Sequence, residues 1–566
     1  MRRFLSLLAA LALASCATNT SPPANAAVQT TPRGMVAAAN PLAVDAGLRV
    51  LRDGGSAVDA AVAVQAVLGL VEPQSSGLGG GAFMTYYNAA DGKITVYNGR
   101  ETAPAGASAD MFIGADGKPL SYIDAIMSGR STGAPGAVAM LALAQKQHGA
   151  VPWSTLFKDA ETLAADGFVV SPRLAQLAGL NRGQAASPDA IAYFTKPNGQ
   201  RVQGGDILKN PAYAETVRRL AAEGPSAMYE GAIPAAIEAK VRQAPIPGTL
   251  TTADIKAYKP KVAEPLCQPY RVYVVCVPPP PSSGVGLLQA LAMLEKTDIA
   301  TRGPNDPIAW VQLAEAERVM YADRDRYVGD PDFIDVPVKG LLDPAYVTER
   351  AKLIGDRAGP VPTHGTPPGF KPRGADKTQE PGGTTHFVVV DPKGNVVSMT
   401  TTVESLFGSG RMVAGFFLNN QLTDFSRYPE DLRGGPLANA PAPGKRPRSS
   451  MAPAIVLKDG KFYAAIGSPG GNAILSYNLK AIVGLIDWNL TMQQAIDLPN
   501  MVARGDAFSS EIGRYAPGVA EQVIARGVAI KAGQNETSGL HGVVVRPGGI
   551  LEGGADPRRE GVAKGL

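Results

Sequence analysis

The sequence predicts a layered α/β fold, of the α+β kind, with helices dominant in the first half and strands in the second. Three observations carry this. From about residue 136 to 260 the segments AVAMLALAQKQHG, WSTLFKDAETLAADG, PAYAETVRRLAAEG and PAAIEAKVRQA have high helix propensity, and glycine or proline closes most of them. Beyond residue 384, β-rich runs take over in GFFLNN, APAIVLK, KFYAAIGS and HGVVVR. The 64 glycines and 47 prolines demand many tight turns, yet no tract repeats as a solenoid or linker array would. Helices and strands segregated in this way bury their apolar faces by packing in layers.

Composition narrows the class further. A chain of 566 residues holds two to four domains' worth of packing, and 45% hydrophobic with 18% charged residues describes a globular protein. The net charge of +4, with no basic stripe interleaved with aromatics, argues against nucleic-acid binding.

The N-terminus opens with MRR and a short apolar run, FLSLLAALALA, too short to span a membrane as a mature helix. Leu13-Ala14-Ser15-Cys16 is similar to a bacterial lipobox, which makes residues 1–15 a signal peptide and Cys16 a lipidated first residue. A plain secretory signal cleaved near Ala24-Asn25-Ala26 is the alternative. Either reading exports the protein, to the periplasm and to a membrane only through a lipid anchor, with residues 16–33 as a polar tether.

Residues 34–53 predict an amphipathic helix ending at Gly54-Gly55, and Ser56 caps a second, Ala-rich, buried helix. GLGGGAFMTYY lacks the lysine and spacing of a phosphate loop, so its glycines predict a strand closely approached by other backbone. The strands FMTYY and ITVYNG flank a turn at Asp91-Gly92 and lead to Arg100. Gly129-Arg130-Ser131-Thr132-Gly133 matches a nucleophile elbow in letters only, because no helix follows directly. Cys267 and Cys276 lie in CQPYRVYVVC, where Pro269-Tyr270 can turn the chain; a disulfide and two buried thiols both fit. A long helix is expected within 310–333, and residues 355–383 read as an exposed, mobile tract.

That tract runs into a hairpin, His386–Asp391 and Val396–Val403 around PKGN. A turn at 392–395 pairs Asp391 with Val396 and sets Thr385 against Thr402, bringing Thr402 and Glu404 beside Thr384. A helix, ILSYNLKAIVGLIDW, and a shorter one around TMQQAIDL complete the C-terminal part. The four histidines form no metal-ligand pair, and neither metal nor cofactor is expected.

Motifs along almost the whole chain resemble the γ-glutamyltransferase (glutathione hydrolase) family of N-terminal-nucleophile hydrolases. They are GMVAAANPLAVDAGLRVLRDGGSAVDAAVA, NGRETAP, PPPPSSG, YADRDRYVGDPDF, TTHFVVVDPKGN, LNNQLTDFS, KRPRSSMAP, GSPGGN and GGADPRRE. The resemblance implies a four-layer αββα sandwich and a precursor that cuts itself between Gly383 and Thr384. The products are a large subunit, 34–383, and a small one, 384–566, with Thr384 as nucleophile and its α-amine as base. It further implies that Thr402 supports the nucleophile and that Gly470 and Gly471 supply the oxyanion hole. Arg100, Ser449 and Ser450 hold the substrate α-carboxylate, and Asp424, with Gln421 and Glu404 nearby, holds its α-ammonium. The implied substrates are glutathione and other γ-glutamyl amides, with water or an amino acid as acceptor. A glutaryl or cephalosporin-type acylase, or a non-catalytic lipoprotein of the same fold, are the alternatives. Val388, where the family carries Ser or Thr, implies a packing change only. The tract from Ser426 to Gly444 is shorter than the family's lid and Tyr428 does not align with its gate, which favours hydrolysis over transfer.

Overall fold

The computed structural model describes residues 29–31, 33–376, 378–380, 382–532 and 538–566. The expected signal peptide (residues 1–15), Cys16 and most of the expected tether lie outside them. Two seven-stranded sheets form the centre. One runs Val562–Gly565, Met35–Ala38, Thr384–Val390, Val396–Thr402, Gly81–Tyr87, Ile94–Gly99 and Lys261–Ala263 from edge to edge. The other runs Gln29–Thr31, Ile550–Ala555, His541–Arg546, Lys461–Gly467, Ala454–Lys458, Tyr273–Val277 and Leu266–Tyr270.

Alternation along the strands separates three cores. Val36, Phe387, Val389, Val397 and Met399 face outward into helices that include Pro41–Arg52, Ala57–Val71 and Ala137–His148. Met35, Val388, Val390, Cys276, Ile455, Ala465 and Val543 meet between the sheets. Val275, Val456, Ala464 and Val544 face the helices Gly284–Leu294, Pro307–Tyr327 and Ile474–Ile486 on the far side. Helix, sheet, sheet, helix is the expected four-layer sandwich, and Val388 is buried in the core between the sheets. Because both faces of the central strands are covered, Thr384–Val390 and Val396–Thr402 are buried throughout.

Several boundaries differ from the sequence reading. Residues 34–53 are not one helix: Met35–Ala38 is a strand, and Asn40 caps the helix Pro41–Arg52 by accepting from the Leu42 N–H. Val and Ala runs fit either element, and here the strand wins by pairing with two neighbours. Gln29–Thr31, read as tether, pairs with Ile550–Ala555 as an edge strand. The long helix stops at Tyr327, so GDPDF lies beyond it. Cys267 and Cys276 face each other in register and are disulfide-bonded, with the turn at Arg271-Val272 and not at Pro269-Tyr270. The glycines of 79–81 do admit backbone: a Cβ on Gly80 would lie 1.9 Å from the Thr402 carbonyl oxygen.

The catalytic-looking hairpin is shifted by one residue. Val390 pairs with Val396, and Thr384 pairs directly with Thr402. Asp391 belongs to the turn, its carboxylate accepting from the Lys393 and Asn395 N–H groups and its own N–H donating to the Asn395 carbonyl. Gly394 takes φ 86° there.

Glu317, on the buried helix Pro307–Tyr327, accepts from the Ala503 N–H at 2.7 Å, and burial pushes its carboxyl up to about 8. A carboxyl with a raised folded pKa keeps its proton while the unfolded chain releases one, so stability falls between about pH 4.5 and 8. Glu317→Gln is therefore expected to raise the melting temperature by roughly 5 °C at pH 8.5 and to leave it unchanged at pH 4. An equal shift at both pH values in a thermal scan would refute this.

Candidate active site

Thr384 opens a central strand at the end of the sandwich, on the face that looks between the sheets. Its hydroxyl donates to the Thr402 Oγ1 at 3.1 Å, and Thr402 donates to the Gly383 carbonyl oxygen at 3.1 Å. The Glu404 N–H donates to the same Thr402 Oγ1 at 2.7 Å. A threonine hydroxyl has one proton and two lone pairs, so Thr402 is filled by these three bonds and can act only as a relay between Thr384 and Gly383. Glu404 reaches this position with φ 83°, a conformation that costs a non-glycine residue roughly 1–3 kcal/mol. A Cβ on Gly383 would lie 2.3 Å from the Glu404 carbonyl oxygen and 2.4 Å from the Ser405 carbonyl carbon, so only glycine fits there. Arg559 Nη1 donates to the Thr384 carbonyl oxygen at 2.7 Å, anchoring the other side of the residue.

The pocket beside Thr384 is lined by Arg100, Glu380, Thr402, Glu404, Gln421, Asp424, Ser449, Ser450, Met451, Gly471 and Ile474. The space open to the centre of a water molecule is about 20 Å³, enough to seat one water. Every sequence-derived pocket residue is thus gathered, with Gly470 adjoining at φ 137° and Gly471 at φ 54°. Arg100 ends the strand Ile94–Gly99 and is fully buried; Nη2 meets Asp424 Oδ2 at 2.5 Å and the Arg448 carbonyl at 2.6 Å, and Nε meets the Pro447 carbonyl at 3.0 Å. Gln421 Nε2 donates to the same Asp424 oxygen at 2.7 Å. The PPPPSSG corner positions the serine pair: the Ser449 N–H donates to the Pro281 carbonyl, and the Ser283 N–H to the Ser449 carbonyl. Ser450 Oγ donates to Glu380 Oε2 at 2.6 Å.

Burial drives the electrostatics. It pushes the Glu404 carboxyl well above its ordinary range, and the neighbouring Asp424 pushes it further; Asp424 is also raised by burial, with Arg100 opposing. Glu404 therefore holds a proton beside an Asp424 paired with Arg100. Burial would raise Glu380 too, but Arg324 and Arg448 outweigh it and hold its carboxyl down at about 2. His386, two residues from Thr384, meets Thr400 and not Thr384, and burial keeps its imidazole neutral. Among the described residues no cluster of His, Cys, Asp or Glu could hold a metal ion.

The sequence reading leaves out Glu380, Met451 and Ile474 of the pocket lining, and Arg324 and Arg448 that hold Glu380. The tract 355–383 was read as exposed, and it does lack regular structure, but its end turns inward, with Asp376 and Glu380 buried against the two arginines. Two acids in a polar, Pro-rich run give no pattern that marks one as buried. Ser131 is a buried turn residue donating to the Ile126 and Ser128 carbonyls, not a nucleophile. Tyr428 is half exposed and lies outside the pocket.

A four-layer sandwich with a threonine at the head of a central strand, behind a glycine, defines an N-terminal-nucleophile hydrolase. The gamma-glutamyltranspeptidase family model matches residues 43–566, and the chain belongs to that family. It is 36% identical to a glutathione hydrolase proenzyme of Bacillus subtilis (strain 168), covering 94% of this chain and 91% of that one. It is 37% identical to one of Escherichia coli (strain K12), covering 93% and 90%. An acylase ACY 1 proenzyme of Pseudomonas sp. (strain SE83) is 35% identical over 94% and 93%. Among solved structures, a cephalosporin acylase from Bacillus halodurans superposes with a TM-score of 0.85 at 27% identity, covering 97% of this chain and 98% of that one. The protein is an enzyme of the glutathione hydrolase and γ-glutamyltransferase kind.

If Thr402 is the relay, Thr402→Val should slow conversion of the full-length chain into two fragments by roughly a hundredfold or more, and Thr402→Ser should restore most of it. Timed denaturing gels test this; a valine variant that matured at the normal rate would remove Thr402 from the reaction.

Proposed function

We propose that the chain is an exported precursor that cleaves itself at Gly383–Thr384 and then hydrolyses γ-glutamyl amides through a γ-glutamyl ester on Thr384. The observation that carries this is the hydroxyl chain from Thr384 through Thr402 to the Gly383 carbonyl. Attack of the Thr384 Oγ on the Gly383 carbonyl carbon forms the new C–O bond. The hydroxyl proton passes to Thr402, which gives its own proton to the carbonyl oxygen. Collapse breaks the C–N bond, the nitrogen takes the proton, and water then hydrolyses the ester. The products are a chain ending at Gly383 and another beginning with the free amine of Thr384.

That amine titrates near 8 in an ordinary chain and is the general base of the second reaction. It takes the Thr384 hydroxyl proton as Oγ attacks the γ-carbonyl of the substrate, and the leaving amine departs protonated. The backbone N–H groups of Gly470 and Gly471 are assigned to the oxyanion, at roughly 3 kcal/mol per donor. Asp424, Glu404 and Gln421 receive the α-ammonium; Arg100, Ser449 and Ser450 belong to the α-carboxylate subsite. Water as the acceptor fits the short tract around Tyr428, and anchoring through Cys16 accords with the lipobox-like N-terminus. Among the described residues no helix is long and apolar enough to cross a membrane. Similarity to an acylase and to a cephalosporin acylase supports the competing reading, an acylase of the glutaryl or cephalosporin type.

Purified wild type should run as two bands and Thr384→Ala as one. One full-length band in both would overturn the mechanism. Wild type should release p-nitroaniline from a γ-glutamyl anilide at least about tenfold faster than from the glutaryl anilide, which lacks the ammonium; the reverse order would make it an acylase.

The protonated Glu404 gives this preference a pH signature. An incoming ammonium favours the carboxylate form, so binding expels a proton and KM for the γ-glutamyl anilide should fall as pH rises, by up to about tenfold per unit. KM for the glutaryl anilide should stay flat, and Glu404→Gln should flatten the first profile. An unchanged slope in that variant would exclude Glu404 as the titrating group.

A further inference from the structure

Arg324, fully buried on the helix Pro307–Tyr327, points its guanidinium at a carboxylate that belongs to the chain itself. Nη2 donates to Glu380 and, at 2.7 Å, to Ser450 Oγ; Nε donates to Ser283 Oγ at 2.9 Å and Nη1 to Asp325 at 3.0 Å. Ser450 also donates to Glu380 Oε2, and Arg448 Nε stands 3.6 Å from the other carboxylate oxygen. Glu380 is thus a carboxylate inside the substrate pocket, clamped by a guanidinium and a hydroxyl, and it leaves that pocket only about 20 Å³ open to the centre of a water molecule. Arg100, assigned above to the substrate α-carboxylate, spends Nη2 and Nε on Asp424 and the carbonyls of Pro447 and Arg448 and is not what holds Glu380. The carboxylate that the chain itself places in the pocket is held by the Arg324–Ser450 pair.

We propose that Arg324 and Ser450 form a carboxylate clamp, filled by Glu380 in the uncleaved chain and by a substrate carboxylate in the cleaved enzyme. The inference rests on the reading of Thr384 as a self-cleaving γ-glutamyl nucleophile. Glu380 stands four residues from the scissile bond, so cleavage frees the short end that carries it. The vacated guanidinium, already desolvated and oriented, then presents a planar fork to the next carboxylate. That carboxylate is the α-carboxylate of the γ-glutamyl group or one on its leaving group.

The test compares Arg324→Gln and Arg324→Lys with wild type, after two bands on a gel have established maturation. For Arg324→Gln, KM for γ-glutamyl p-nitroanilide, whose only carboxylate is the α-carboxylate, should rise at least about tenfold with kcat within about twofold. Arg324→Lys should recover part of the loss, and 4-aminobutyryl p-nitroanilide, which lacks the carboxylate, should be hydrolysed equally by all three. A rise seen for glutathione alone would assign the clamp to the leaving-group carboxylate. An unchanged KM for both substrates overturns the inference, whereas wild type inactive on either overturns the reading beneath it.

Because a buried arginine can be needed for maturation, the uncleaved chain gives a second measurement. Calorimetry with L-glutamate should detect no binding to Thr384→Ala, and binding should emerge in Thr384→Ala/Glu380→Ala. Binding to the first, or none to the second, overturns the occupancy of the clamp by Glu380.

Discussion

The pairing of Thr384 with Thr402 across two neighbouring strands sets the distance on which the site depends. Directly opposed residues place their side chains on one face of a sheet, and here that brings two hydroxyls to 3.1 Å at the sheet's end. A register slip of one residue would send one hydroxyl to the opposite face. The register is held by apolar cores above and below both strands and by the Asp391 turn that closes the hairpin. At the open end, Gly80 lets the next strand sit against the Thr402 carbonyl, and the strained Glu404 backbone delivers its N–H to the Thr402 hydroxyl. Backbone strain of this kind persists only where surrounding packing over-determines it.

Charge around that pair is arranged as compensated sets, as a low-dielectric interior requires. Arg100 answers Asp424, Arg324 and Arg448 answer Glu380, and Glu404 answers its isolation by keeping a proton. Carboxylates within a few ångströms of one another thus differ in protonation because their neighbours differ. The acid without a guanidinium of its own is the one that can respond to an arriving cation.

Much of this was legible in the chain. The close approach at the glycine run and the threonine pair follow from strand chemistry, while the layer order and the gathering of Arg100, Gln421, Asp424 and the serines follow from the family resemblance. The hairpin register did not, because PKGN invites a four-residue turn, and only the Asp391 side chain, bonding back to two amides, extends it to five. Met35–Ala38 reads equally as helix in sequence because four apolar residues have no period that separates the two elements; its neighbours in the sheet decide it. Glu380 escaped notice for a different reason. Its burial is created by two arginines distant in sequence, one on a helix and one in a loop, so nothing local marks it.

The interleaving of the two parts of the chain has a consequence for how the protein can be lost. The strand Thr384–Val390 lies between Met35–Ala38, from before the proposed cut, and Val396–Thr402, from after it; in the second sheet a block of four strands from after it is flanked by Gln29–Thr31 and Tyr273–Val277, from before it. Before cleavage the fold is reached by one chain, with loop closure costing only slowly more as loops lengthen. After cleavage the same sheets must be rebuilt by two chains meeting in solution, at a rate that depends on their concentration. The native state is then guarded by the slowness of its unfolding and not by the ease of return. Self-cleavage as proposed would thus make folding a one-time event in the life of the molecule.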